Sequence, residues 1–190
     1  MVQFDSARHI YTVDGHRRPS VTEVIKATGY IEHGYFNEEA RWRGSVVHRM
    51  TQLWDLGKLD ESTVDPRVEG YLVAWKKYRA RRRKFYSRIE EPIANQFMAG
   101  TPDRVGIGED GLPCVDDIKT GAPQKWHALQ LAGYAWLAHP AVDYCKRFAV
   151  YLQEDGEYCE EEFPATVLEC DKRAFMACIE TWNWRKAHGY

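Results

Sequence analysis

Gly-Thr-Pro-Asp-Arg-Val-Gly-Ile-Gly-Glu-Asp-Gly-Leu-Pro-Cys-Val-Asp-Asp-Ile-Lys-Thr-Gly, residues 100–121, reads as two strands joined by a turn at Asp110-Gly111. β-compatible runs flank a residue pair that tolerates positive φ, which is the local signature of a hairpin. The two arms bring Asp103 towards Asp117 and Lys119. Side chains two apart on a strand project from the same face, so Asp117 and Lys119 share a surface while Ile118 points to the other. Two carboxylates suit a hard divalent cation such as Mg²⁺ or Mn²⁺, and an ammonium beside them can position a water or offset developing negative charge. That combination suits cleavage of a phosphodiester. Taken alone, Asp-x-Lys is also the pattern of an exposed ion pair on a strand, which contributes little.

The neighbourhood of the hairpin separates the two readings. Pro102-Asp103 sits on the first arm, Gln130 and Tyr134 follow downstream, and His48 lies upstream on a helix. In that order the chain resembles the PD-(D/E)XK nuclease superfamily and, within it, the RecB-type exonuclease branch. The resemblance covers roughly residues 40–155 by motif placement. It implies an α/β fold with a restriction-endonuclease-like core, α-β-β-β-α-β, whose central mixed sheet is flanked by helices, here with an N-terminal hairpin and helical additions. Asp103, Asp117 and Lys119 match the catalytic positions, and Gly44-Ser45-Val46-Val47-His48 fits a Gly-x-x-x-His element that supplies a metal ligand. The Ile118 carbonyl completes the ligand set that the resemblance implies. Gln130-x-x-x-Tyr134 matches a pattern taken in that branch to position the DNA strand near the metal. Many relatives carry a glutamate on the first core strand, which implies an acidic contribution from Glu91; Glu90 is adjacent, and either could be exposed.

Size and composition agree with such a protein. At 190 residues the chain is long enough for one core and short for two, so a single domain spanning 1–190 is expected. Its apolar fraction of 44% and charged fraction of 28% are ordinary for a globular protein. There is no apolar run of membrane-spanning length, and Met-Val-Gln-Phe-Asp at the start lacks a signal peptide's regions. The expected location is the cytoplasm, the host's if the protein is phage-encoded. Five cysteines, at 114, 145, 159, 170 and 178, form no Cys-x-x-Cys pair. Disulfides and a zinc site are not expected. Relatives with an iron-sulfur cluster use an upstream cysteine, and here none precedes position 114, so no iron-sulfur cluster is expected.

A net charge of −2 gives no global nucleic-acid signature, and any attraction to phosphate must be local. Arg79, Arg81, Arg82, Arg83, Lys84 and Arg88 concentrate positive charge, whereas residues 154–162 are strongly acidic. If the helix continues through the basic run, Arg79, Arg82 and Arg83 share a side and suit phosphate contacts, leaving Arg81 and Lys84 for solubility. The same run is equally the pattern of a solvated helix face.

The remaining elements follow from local patterns. Residues 2–22 read as a hairpin turning at Asp14-Gly15, followed by a helix opened by the capping box Ser20-Val21-Thr22-Glu23. Asn37 can cap a helix over 38–57 with the apolar stripe Trp42, Val46, Met50 and Leu53. Counted from Val46, His48 falls about 200° round that helix, with Arg41, Gly44, Thr51 and Asp55. A third helix starts at Asp65-Pro66, a first core strand covers 88–98, and Pro123 opens a fourth helix ending before His139-Pro140. Strands at 146–152 and 157–163 and a helix at 166–187 close the chain.

These readings converge on a divalent-metal-dependent DNA exonuclease using Mg²⁺ or Mn²⁺. The resemblance places it in phage or bacterial recombination and repair, with DNA and a recombination or single-strand-annealing protein as partners and no membrane. Two alternatives keep the same residues: a structure-selective or restriction-type endonuclease, and a non-catalytic DNA-binding module of the same fold.

Overall fold

β8 (Pro113–Lys119) is buried on both faces along five successive residues, which makes it a central strand. The structure is a computed structural model, and it describes residues 2–5, 8–31, 38–142 and 144–189. β8 lies in the middle of a five-stranded sheet with β7 (Arg104–Ile107) and β4 (Phe85–Ile89) on one side and β9 (Lys146–Leu152) and β10 (Tyr158–Phe163) on the other. The β7–β8 hairpin is antiparallel, as its turn chemistry requires, and Gly111 takes φ 76° there. β8 and β9 are parallel. A parallel pair needs a crossover, and α4 (His127–Ala138) supplies it.

The period-two alternation of β8 then builds two cores. Val115 joins α1 (Val21–Ala27), α4 and α5 (Leu168–Ala187) on one face through Val24, Leu131 and Phe175. Cys114 and Ile118 join α2 (Glu38–Asp55) and α3 (Glu69–Arg81) on the other through Val47, Met50, Leu72 and Trp75. The order α3-β4-β7-β8-α4-β9 is the expected α-β-β-β-α-β core, a mixed sheet with helices on both faces. No helix among the described residues is long and apolar enough to cross a membrane.

Local chemistry accounts for several boundaries. The Ser20 hydroxyl accepts the Glu23 amide at 3.0 Å and the Glu23 carboxylate accepts the Ser20 amide at 3.3 Å, so the capping box forms. Asp14 and Gly15 both take positive φ, which suits the two-residue turn between β2 (Ile10–Val13) and β3 (His16–Arg18). β1 (Val2–Asp5) adds to β2, so the expected hairpin becomes a three-stranded sheet. Asn37 lies outside the described residues.

Other boundaries moved. Asp65 caps a 3-10 turn, Pro66–Val68, before α3 begins at Glu69. A turn at 125–126 delays α4 to His127, with the His127 amide bonded to the Gln124 carbonyl at 3.0 Å. The strand expected at 88–98 is β4 followed by a separate small hairpin, β5 (Ile93–Ala94) with β6 (Ala99–Gly100). α2 buries Val47, Met50 and Thr51, while Trp42, Val46 and Leu53 line a surface groove. Its burial is therefore rotated towards the face assigned to polar residues.

The basic run does not continue the helix. Arg82 is extended at φ −108° and ψ 96°, and the chain leaves α3 for β4, so Arg79, Arg82 and Arg83 do not share a helical side. Arg79 pairs with Asp55 at 3.1 Å and stacks over Tyr86. Arg82 pairs with Glu160 of β10, so part of the acidic run neutralises part of the basic one. Lys84 is buried against Asp116 rather than solvated. Arg83, like Arg81, is exposed.

α3 approaches the β9–β10 turn so closely that a Cβ at Gly70 would lie 1.7 Å from the Glu154 carbonyl oxygen. Backbone cannot yield as a flexible side chain does. Gly70→Ala is expected to lower the unfolding free energy by about 1–3 kcal/mol, read from the urea midpoint. An unchanged midpoint would mean that the two elements are not in contact at this position.

Candidate metal centre

The chain turns sharply after β4, and that turn builds the site. β4 pairs with β7 through a register shift between Tyr86 and Arg88, and Glu90 follows in the left-handed region at φ 53°. A glutamate rarely adopts that conformation, so the surroundings must impose it. The Glu90 amide donates to the Asp103 carbonyl at 3.0 Å. Its carboxylate is thereby delivered to the helix α2, where His48 Nδ1 stands 3.1 Å from Glu90 Oε1 and 3.2 Å from Asp103 Oδ1. One ligand atom from each of His48, Glu90 and Asp103 lies within 4.8 Å of the others.

Asp103 is fixed from the next strand. Its Oδ2 accepts the Ile118 amide at 2.5 Å, so the hairpin brings the first arm against β8. Asp117 and Lys119 form an ion pair on the α4 face of β8, and Lys119 Nζ also donates to Gln130 Oε1 at 2.8 Å. Gln130 Nε2 in turn donates to the Tyr134 hydroxyl at 3.3 Å. The four-residue spacing on α4 stacks these two side chains in one line. Tyr134 is buried and occupies the space above Gly100, where a Cβ would come within 2.8 Å of its ring.

The charges of the cluster act on one another. Burial alone would lower the His48 imidazole, but the carboxylates of Asp103 and then Glu90 outweigh it and hold it well above its ordinary value. Burial pushes Glu90 up, and the neighbouring Asp103 adds to the effect. Asp103 goes the other way: burial raises it, yet His48, Lys119 and the Ile118 amide together bring it below its usual value. Burial raises Asp117 to about 6 against the pull of Lys119. Tyr134 is raised well above its ordinary value by burial and then by Asp117 and Asp103, which keeps its hydroxyl protonated beside them.

The donor set fits a divalent cation. It combines carboxylate oxygens with one imidazole nitrogen, acceptable to Mn²⁺ and less so to Mg²⁺. Asp117 Oδ2 is buried and makes no hydrogen bond of good geometry, despite Lys119 beside it. His48, Arg104 and Lys119 all offset the charge of the paired carboxylates of Glu90 and Asp103.

The structure thus brings His48 and Asp103 together as expected, sets Asp117 and Lys119 on the adjoining strand, and aligns Gln130 and Tyr134 behind Lys119. It corrects the glutamate. Glu91 is exposed, 3.9 Å from Arg88, and Glu90 occupies the cluster. Counting alternate residues along a strand could not find this, because the bulge and the left-handed residue reset the count. The amide of Ile118 anchors Asp103, and its side chain belongs to the core on the α2 face. Arg79 and Arg82 are engaged in ion pairs away from the cluster. Asp55 was placed on the His48 face of its helix but given no role, and Arg104 was not singled out, although its side chain is fully buried, pairs with Asp55 and touches Glu90.

Neither a protein-family model nor a curated protein sequence matches the chain. Solved structures similar to it include an alkaline exonuclease from Laribacter hongkongensis, 14% identical over 90% of this chain and 94% of that one with a TM-score of 0.40. Another is a phage related exonuclease from Haemophilus somnus 129PT, 12% identical over 92% of this chain and 97% of that one with a TM-score of 0.43. Superpositions this loose carry no inference about chemistry, which rests on the side chains described above.

Proposed function

We propose that the protein is a divalent-metal-dependent deoxyribonuclease of the RecB-type branch, acting as an exonuclease in phage or bacterial recombination and repair. The observation that carries this reading is the convergence of His48, Glu90 and Asp103 beside the Asp117–Lys119 pair. His48, Glu90, Asp103 and Asp117, with the Ile118 carbonyl, would hold one or two Mg²⁺ or Mn²⁺ ions. When bound, such an ion neutralises the scissile phosphate and makes a water a stronger nucleophile at neutral pH.

The chain's own residues do the remaining work. Lys119, placed between the Asp117 carboxylate and Gln130, orients the attacking water and offsets charge gathering on the phosphate. Gln130 holds Lys119 in that position, and the Tyr134 hydroxyl holds Gln130. Exposed Arg83 remains a candidate for a phosphate contact, while Arg79 and Arg82 would first have to leave Asp55 and Glu160.

The test is end-labelled linear DNA, single- and double-stranded, incubated with and without Mg²⁺ or Mn²⁺ beside a covalently closed circle. Stepwise shortening of the linear substrate with the circle left intact is the expected result. Cleavage of the circle would make the enzyme an endonuclease. DNA binding with no metal-dependent product would leave a binding module and end the catalytic reading.

A further inference from the structure

Glu90 reaches the cluster in a backbone conformation that glutamate rarely adopts, so something must hold it there. The carboxylate oxygen that faces His48 is also met by Arg104, whose side chain is fully buried. Arg104 Nη1 donates to the Asp103 carbonyl at 2.8 Å and stands 3.4 Å from Glu90 Oε1. The same Asp103 carbonyl accepts the Glu90 amide, so one guanidinium ties together the backbone and the carboxylate of the two acidic residues. Arg104 Nε donates to Asp55 Oδ2 at 2.7 Å, and the guanidinium lies 5.1 Å over the Trp75 ring. Asp55, itself nearly inaccessible, is held by Trp75 Nε1 at 3.1 Å and Arg79 at 3.1 Å.

Stability is a poor reason for this arrangement. Buried ion pairs seldom stabilise more than apolar packing would, and Arg104 Nη2 is buried without a hydrogen-bond partner. Nor does it favour a cation by charge, since a guanidinium beside Glu90 repels one. What it does supply is geometry, because the planar fork reaches Asp55 and the Glu90–Asp103 pair at once.

We infer that Arg104, anchored by Asp55, is a positioning residue that holds Glu90 and Asp103 in the arrangement needed to bind a divalent cation with His48. The inference rests on the metal-site reading of His48, Glu90 and Asp103. It has a sign that separates it from electrostatics: removing a cation near the site would strengthen metal binding, whereas loss of positioning weakens it.

The experiment is calorimetric titration of Mn²⁺ into DNA-free protein, with melting temperatures taken in EDTA. Arg104→Lys keeps the charge but cannot span both partners, and Arg104→Gln removes the charge. Both are expected to bind Mn²⁺ about tenfold or more weakly than wild type. Arg79→Lys is the control, because it shares Asp55 yet does not touch Glu90; it should lose stability with Mn²⁺ binding unchanged. Unchanged binding in Arg104→Lys, tighter binding in Arg104→Gln, equal weakening in Arg79→Lys, or an Arg104→Lys protein unfolded in EDTA would each overturn the positioning role. Absence of Mn²⁺ binding by wild type would overturn the metal site itself, and is thereby distinguished from failure at Arg104 alone.

Discussion

Asp117→Asn is expected to abolish cleavage and, in the absence of metal, to melt at a higher temperature than the wild type. The side chain is buried and its carboxyl is raised to about 6 from an ordinary 3.8. A folded-state value above the unfolded one means that stability is fully present below the unfolded value and is lost as pH rises through the folded one. At pH 7.5 the ionised carboxylate therefore costs the metal-free protein up to roughly 3 kcal/mol, from about two units at 1.36 kcal/mol each. Asparagine has no ionisation to lose. It leaves Lys119 with Gln130 as a partner and with access to water. The expected gain in EDTA at pH 7.5 is roughly 5–10 °C, narrowing to nothing near pH 4. Mn²⁺ should raise the melting temperature of the wild type more than that of the variant. Turnover should fall by about 10³-fold or more, the equivalent of some 4 kcal/mol of transition-state stabilisation. A variant that is less stable than wild type at all pH values, or that keeps its turnover across a metal titration, would remove Asp117 from the centre.

Asp116→Asn, one residue away, should do the opposite. Asp116 points to the α3 face of β8, where it is fully buried. Its oxygens accept the Tyr78 hydroxyl at 2.7 Å, the Tyr86 hydroxyl at 2.5 Å and Lys84 Nζ at 2.9 and 3.0 Å. Burial and then the Asp116 charge hold both tyrosines well above their ordinary values, so they remain donors. Lys84 also lies 3.3 Å from the centre of the Phe148 ring. Removing the carboxylate charge leaves a buried ammonium without its counter-ion, a loss of about 3–5 kcal/mol. The melting temperature should fall by roughly 10 °C or more, while Mn²⁺ binding by the folded fraction stays unchanged. Adding Lys84→Met should recover a large part of the loss, since the double change removes both charges. A variant melting within about 2 °C of wild type would show that the network contributes little.

This contrast marks the boundary between what the order of residues determined and what folding decided. Strand alternation depends only on neighbours, so it was enough to place Asp117 with Lys119 and to oppose them to Ile118. The Asp110-Gly111 turn, the Ser20–Glu23 capping box and the stacking of Gln130 on Tyr134 were legible for the same reason: turn chemistry and a helical period act over four residues or fewer. His48 was placed by spacing, and its meeting with Asp103 came from resemblance before geometry. Glu90 could not be told from Glu91 in the sequence, because a bulge and a left-handed residue decide which of the two turns inward, and the contacts that hold it there come from Asp103 and Arg104 at the start of β7. The basic run met its answer in Glu160, 78 residues away from Arg82. Whether a charge faces solvent, a phosphate or a buried partner depends on which strands pair and which helices cover them. Those contacts exist only after the sheet has closed, so Asp55, Lys84, Arg104 and Asp116 acquire their roles from tertiary structure and not from their place in the sequence.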